Sequence, residues 1–273
     1  MTSADPEDPA RLVGADRVLA VLKALTRYPE GTGLEELTRV IGSPKPTVHR
    51  ALRSLCRAGL AEQDGRGHYL LGDEFLRMAF AHHEARPEHV RMRPVLTALA
   101  ERFGETAHHG VLDGCEVVYR AKVDPPSGAV RLTSTVGGRN PAHATAMGKL
   151  LLAHLLPTRE ALDAWVGDAG LGRRTPRTRC TVEALHGDLE RIRRQGYATD
   201  DQENEPGVNC LAVPVWLASA RVPSGAVSVS ALAYRTPLGV LVDAVPEIRE
   251  LLGPLGQRPP APPAPHQPGL TRP

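Results

Sequence analysis

Residues 15–72 carry three short apolar repeats of helical period followed at once by a hairpin signal. That order restricts the fold more than any other feature of the chain. "DRVLAVLKALTRYPEG" sets Val18, Leu19, Leu22 and Leu25 on one side and stops at Pro29 and Gly31. "GLEELTRVIGS" repeats the pattern with Leu34, Leu37, Val40 and Ile41. "SPKPTVHRALRSLCRAGL" supplies the third repeat, with Val48, Ala51, Leu52 and Leu55 as its apolar stripe. "LAEQDGRGHYLLG" then reads as two short strands around "DGRG". A helix, a turn around Gly42, a second helix and a hairpin form the order of a winged helix-turn-helix. In that motif the second helix enters the DNA major groove and the wing meets backbone phosphates.

Charge supports this reading. At about 100° per residue, Arg50, Arg53 and Arg57 lie within about 60° of one another, opposite the apolar stripe. Residues 43–66 hold five basic and two acidic side chains, a net +3 that exceeds the +2 of the whole chain. The positive charge is therefore local. Lys45, Thr47 and His49 near the helix start and Arg66 in the hairpin complete the candidate DNA contacts, since arginine forks suit guanine edges and phosphates alike. Ser43 is expected to cap the helix, with Pro44 at its first position and Pro46 still within the first turn, where a missing N–H breaks no ladder bond.

Beyond residue 72 the texture changes. "DEFLRMAFAHHEAR" reads as a connecting helix ended near Pro87, and "HVRMRPVLTALAERFG" as another helix. "TAHHGVLDGCEVVYRAKV" reads as strand, Asp113-Gly114 turn and strand, and "GAVRLTSTVG" as a further strand. "HATAMGKLLLAHLLP" and "TVEALHGDLERIRRQGYA" are helical, the latter closed by Gly196. "NCLAVPVWLA" and "GAVSVSALAYR" suit an antiparallel pair, and "LVDAVPEIRELLGPL" a closing helix. The mixture implies an α+β domain with an antiparallel sheet. Residues 1–14 are expected to be a disordered lead, 15–72 the DNA-binding domain, 73–93 a linker helix, 94–253 the second domain, and 254–273 a proline-rich disordered tail.

Several functions lose support here. No apolar run is long enough to span a membrane, and the acidic, proline-bearing start is unlike a signal peptide, so the chain reads as cytoplasmic. Cys56, Cys115, Cys180 and Cys210 form no C-x-x-C pair, which argues against a disulfide framework or a zinc site. The pairs His82-His83 and His108-His109 suggest a metal, but adjacent side chains diverge on helix and strand alike. The stretch "GYATDDQENEPGVNCLAVPV" places Gly196, Asp200, Glu203 and Cys210 in one loop, and its acidic residues lack calcium-loop spacing. An enzyme using Cys210 as a thiol nucleophile oriented by Asp200 is the rival reading, as is a second domain that only dimerises. No phosphate loop, G-x-S-x-G elbow or H-E-x-x-H motif supports catalysis.

Residues 196, 200, 203 and 210 keep the glycine, aspartate, glutamate and cysteine spacing of a signature of the IclR family of bacterial transcriptional regulators, which the chain resembles. The resemblance extends to "SPKPTVHRALRSLCRAGL", "HYLLG", "GGRNPAHATAMGKLLLA" and "AVSVSA", covering residues 15–253. It implies an N-terminal winged helix-turn-helix joined by a linker helix to a C-terminal effector domain, a curved antiparallel sheet flanked by helices (GAF-like). It also implies homodimers or homotetramers on palindromic double-stranded DNA and a small carboxylate or aromatic-acid effector. Neither catalysis, a cofactor nor a metal is implied. Carried over by position, the effector site comprises Leu132, Ala146, Met147, Asp200, Cys210, Ser228 and Ser230. Two positions depart from the family pattern: Pro46 replaces a small polar residue, and Asn140 stands where apolar side chains often line the pocket.

Overall fold

The computed structural model describes residues 14–84, 87–125, 132–217 and 222–259, which divide into two compact units at residues 86 and 87. No described helix is long and apolar enough to cross a membrane. The proposed lead, apart from Gly14, and the tail from residue 260 lie outside the described residues.

In the first unit, α1 (Ala15–Leu25), α2 (Leu34–Ile41) and α3 (Lys45–Arg57) enclose a core of Val21, Leu25, Leu37, Val48, Leu52 and Leu55. The hairpin of β1 (Ala61–Gln63) and β2 (Tyr69–Leu71) closes this core with Ala61 and Tyr69. Thr32 and Tyr69 exchange backbone hydrogen bonds of 2.9 and 2.8 Å, tying the wing to the segment before α2. A further helix, α4 (Asp73–Glu84), follows.

The α2–α3 turn depends on Gly42, whose φ of 65° lets its N–H donate to the Thr38 carbonyl at 3.0 Å. A side chain at left-handed φ clashes with the following carbonyl. Gly42→Ala is expected to lower stability by about 1–2 kcal/mol in urea unfolding of the whole chain, read from the transition of the first unit. The start of α3 departs from expectation. Pro44, not Ser43, is the N-cap, and its carbonyl accepts from the N–H groups of Thr47 and Val48 at 2.8 and 3.1 Å. Ser43 makes no capping bond and is buried, because the helix begins one residue later and Pro46 rather than Pro44 occupies its first turn.

The second unit is built on a six-stranded antiparallel sheet in the order β5-β4-β3-β8-β7-β6. Its strands are β3 (Thr106–Asp113), β4 (Glu116–Val123), β5 (Arg139–Pro141), β6 (Ala198–Asp201), β7 (Val208–Val215) and β8 (Gly225–Leu232). Alternation along β7 and β8 buries both faces. Leu211, Val213, Val227 and Val229 meet α5 (Pro87–Phe103), α9 (Leu238–Asp243) and α10 (Val245–Leu252). Ala212 and Ala226 meet α6 (Ala146–Leu155), with α7 (Arg159–Val166) and α8 (Val182–Gln195) packed beyond. At Gly148 of α6 an added Cβ would collide with the backbone of Ala142, so only glycine allows this helix so close to the preceding 3-10 turn. Two layers of helices on one curved antiparallel sheet make the unit α+β.

Some elements differ from expectation. Of the strand expected in "GAVRLTSTVG", residues 128–131 lie outside the described set, and residues 132–137 form no strand. The carbonyls of Leu132 and Ser134 instead accept from Lys122 Nζ at 2.9 and 2.8 Å. The 196–210 stretch is a hairpin of β6 and β7 rather than one loop, with Asp200 paired to Cys210. The closing helix is two helices, α9 and α10. The beginning of the expected tail still packs: Leu255 accepts from the Trp216 N–H at 2.8 Å, and Arg258 lies 5.5 Å over the Trp216 ring.

Candidate functional site

On α3, the stripe of Val48, Ala51, Leu52 and Leu55 is buried, which turns Arg50, Arg53 and Arg57 outward. Lys45 and His49 are also exposed, and Thr47 is half-buried. Lys45 is held by Glu35 at 3.0 Å, and Arg57 reaches Ser54 Oγ at 3.4 Å. In the wing, Asp64 Oδ1 accepts the N–H groups of Arg66 and His68 at 2.9 and 2.7 Å, which fixes the tip that carries the exposed Arg66. All seven side chains proposed for DNA thus belong to α3 and the adjoining wing.

The second unit holds a cavity of about 260 Å³ on the α6–α8 face of the sheet. Leu132, Asp200, Cys210 and Ser230 line it, together with His108, Tyr119 and Asn140. Cys210 donates its thiol proton to Ser230 Oγ at 3.1 Å, and Ser230 Oγ lies 3.4 Å from His108 Nδ1. His108 Nε2 is 2.8 Å from Ser134 Oγ, and the Asn140 amide donates to the Tyr119 hydroxyl at 3.2 Å. Burial drives His108 down to about 3, so the ring is neutral, while the same cause raises the Cys210 thiol well above its ordinary value. Burial also pushes Asp200 up to about 7, against the pull of Lys149 and the Glu203 N–H, which donates to Asp200 Oδ1 at 2.6 Å.

Three expected residues do not line the cavity. Ala146 and Met147 are buried in the apolar cluster under α6, where the missing side chain of Gly110 leaves room for the Met147 sulfur. The N-terminal N–H of Gly148 is already bonded to Thr145 Oγ1 at 3.1 Å. Ser228 is buried one register step from Ser230, paired across the sheet with His108 and Ala212. Conversely, His108, Tyr119 and Lys149 escaped the sequence reading. The His108-His109 pair was visible only as a metal candidate, although alternation along β3 sends one of the two to each face.

Behind the cavity Lys149 of α6 is fully buried, with Nζ 2.5 Å from Glu203 and 3.4 Å from Asp188 of α8. Burial raises Asp188, but Lys149, Arg179 and Arg191 hold its carboxyl below the ordinary range. Thr178 Oγ1 donates to the Glu203 carbonyl at 2.7 Å, so the β6–β7 turn is clamped from both sides.

The raised Asp200 gives a signed prediction. A folded-state value near 7 against an ordinary 3.8 means the folded chain holds the proton more tightly. Stability is lost as pH rises from about 4 to about 7, on the order of 4 kcal/mol in full. Asp200→Asn keeps the acceptor oxygen and removes the titration. Its stability relative to the parent is expected to rise between about pH 4 and 7 and to level off above that, in urea unfolding at each pH. A pH-independent difference would contradict the assignment.

The bacterial transcriptional regulator IclR C-terminal model matches residues 88–250, and the IclR helix-turn-helix domain model matches residues 14–65. The HTH-type transcriptional regulator XynR of Escherichia coli is 34% identical over 232 residues, covering 81% of this chain and 86% of that protein. A solved structure of a transcriptional regulator from Rhodococcus shares 28% identity at a TM-score of 0.76, covering 87% of this chain and 94% of the other. The fold also matches an IclR homologue from Microbacterium hydrocarbonoxydans complexed with 4-hydroxybenzoate, at a TM-score of 0.71 and 24% identity, covering 86% and 97%. With both units matched in order, the chain belongs to the IclR family of DNA-binding transcriptional regulators.

Proposed function

We propose that the chain represses transcription in the cytoplasm by occupying a palindromic operator as a homodimer or dimer of dimers, and that a small acid in the second unit controls occupancy. The observation that carries this reading is the outward arginine face of α3 beside a capped wing. Arg50, Arg53 and Arg57, with Lys45, Thr47 and His49, would meet base edges and phosphates in the major groove, and Arg66 the flanking backbone. A bound dimer blocks access to promoter DNA without any further surface. Residues 15–72 would form the reading head and 94–253 the effector domain. Residues 73–93 would link them, in α4 and the first part of α5, so that effector binding changes the spacing of two heads about one helical turn apart.

The cavity supports an effector role for Leu132, Asp200, Cys210 and Ser230 over a purely dimerising domain. The thiol-enzyme reading lacks its chemistry. Cys210 is protonated by burial and donates to a serine rather than to a base. Light scattering of the free chain and of its complex with an operator duplex tests the assembly. An even number of chains, two or four per duplex, is expected; a single chain on each duplex contradicts the proposal.

A further inference from the structure

The β6–β7 turn divides its side chains between two cavities. Asp200 and Asn204 line the first, while Asp201 and Glu203 line a second, of about 460 Å³, that shares no lining residue with it. The rest of the second wall comes from the loop before α8, with Arg173, Arg177 and Arg179, and from the start of α8, with Thr181 and Ala184. That loop is braced. Thr178 Oγ1 accepts the N–H groups of Arg174 and Thr175 at 3.0 and 2.8 Å and donates to the Glu203 carbonyl at 2.7 Å. Thr175 Oγ1 accepts the Arg177 N–H at 3.0 Å and donates to the Gln202 carbonyl at 2.7 Å. The arginines therefore stand on a fixed backbone, and little order has to be gained when a ligand arrives.

The nearby acids do not use these arginines up. Arg177 Nη1 lies 2.5 Å from Asp201 and Arg179 Nε 3.2 Å from Asp188, while Arg173 reaches only the Pro176 carbonyl, at 3.4 Å. The other nitrogens of the three guanidinium groups have no hydrogen-bond partner among the described residues. Asp188 and Glu203 are shared with Lys149, and Asp188 also with Arg191. The cluster thus sets five cations, Arg173, Arg177, Arg179, Lys149 and Arg191, against the three carboxylates of Asp188, Asp201 and Glu203. A dianion cancels the excess. Arginine forks suit phosphate oxygens, and the start of a 14-residue helix favours the same charge.

Glu203 adds a different demand. It is buried, it lines the cavity, and its Oε2 has no hydrogen-bond partner among the described residues. A buried acceptor left without a donor is costly. Hydrogen phosphate carries a proton to donate and a sugar phosphate carries hydroxyls, whereas sulfate has neither.

We infer that the second cavity binds a phosphoryl group, as free phosphate or as the phosphate of a small monoester, on Arg173, Arg177 and Arg179 at the start of α8. The volume leaves room for the rest of such a molecule. The site is separate from the effector cavity and does not depend on the effector role. It shares the β6–β7 turn with that cavity, since the Glu203 N–H donates to Asp200 Oδ1.

Isothermal titration of the full chain near neutral pH with inorganic phosphate, glycerol 3-phosphate, glucose 6-phosphate and sulfate tests this. Saturable binding of phosphate or of a monoester is expected, about tenfold or more tighter than sulfate. A tighter monoester assigns the site to a phosphorylated metabolite, and tighter inorganic phosphate assigns it to the free ion. Arg173→Gln together with Arg177→Gln is expected to weaken that ligand about tenfold or more. Arg173→Gln alone removes no ion pair and serves if the double variant does not fold, as the melting temperature without ligand reports. The double variant Arg50→Ala and Arg53→Ala should bind the ligand as the parent does, which separates this site from the arginine face of α3. Absence of saturable binding, sulfate as tight as the phosphoryl ligands, unaltered affinity in a folded arginine-to-glutamine chain, or loss of binding in the α3 variant overturns the inference. Each of these leaves the effector role of the first cavity standing.

Discussion

Lys149→Met is expected to lower the melting temperature of the second unit by about 10–15 °C. The lysine is fully buried and lies against two carboxylates that are themselves buried, Glu203 at 2.5 Å and Asp188 at 3.4 Å. Removing one partner of a buried ion pair strands the other, a loss of about 3–5 kcal/mol. In a unit of this size each kcal/mol moves the melting temperature by about 2–4 °C. The two acids do not suffer equally. Asp188 retains Arg179 at 3.2 Å and Arg191 at 2.6 Å, whereas Glu203 has no other cation and its Oε2 has no hydrogen-bond partner among the described residues. Glu203→Gln in the Lys149→Met background should therefore recover part of the loss, with a coupling of about 1–3 kcal/mol in a double-mutant cycle. Urea unfolding of the four proteins measures it. A Lys149→Met loss below about 1 kcal/mol would mean that the cluster does not hold the turn.

The same cluster explains how much of the site was legible in the sequence. Asp200 and Cys210, which line the cavity, stand out by the spacing of the signature, but nothing in "ATDD" announces a strand, because its apolar content is too low to show alternation. It becomes β6 because Lys149, Thr175 and Thr178 hold the following turn, and those partners come from distant segments. "LTSTV" shows the opposite conflict. Its β-branched residues suit a strand, yet Lys122 takes the Leu132 and Ser134 carbonyls that a ladder would use. That segment becomes cavity wall. Ala146 and Met147 lie outside the cavity lining: a helix N-terminus offers free N–H groups in principle, while here Thr145 and the glycine at 110 turn the helix start into core. The first unit was easier to read. Its helices are local, their apolar stripes are of one period, and its turn has the one glycine that the backbone requires.

The second large effect concerns DNA. The double variant Arg50→Ala and Arg53→Ala is expected to lose roughly 100-fold or more in operator affinity, since a good bidentate base contact contributes about 1–3 kcal/mol. Both side chains are exposed and, among the described residues, make no hydrogen bond or ion pair, so their removal leaves the core of α3 intact. The salt dependence separates two roles. A side chain on phosphate lowers the slope of log affinity against log salt by about 0.9 when removed, whereas one on a base edge relaxes the preference at one position and changes the slope little. Fluorescence anisotropy at several salt concentrations distinguishes them. Arg194→Ala, an exposed arginine on α8 of the other unit, serves as the control and should change neither quantity.

The arginine face of α3 is proposed to read a two-fold symmetric DNA sequence. Selection of bound duplexes from a random library near physiological salt tests it most directly, because non-specific binding is weakened there. Enrichment of one sequence with two half-sites related by two-fold symmetry, about one helical turn apart, is expected, with loss of that enrichment in the double arginine variant. Recovery of no enriched sequence, or equal recovery by the parent and the double variant, would contradict it.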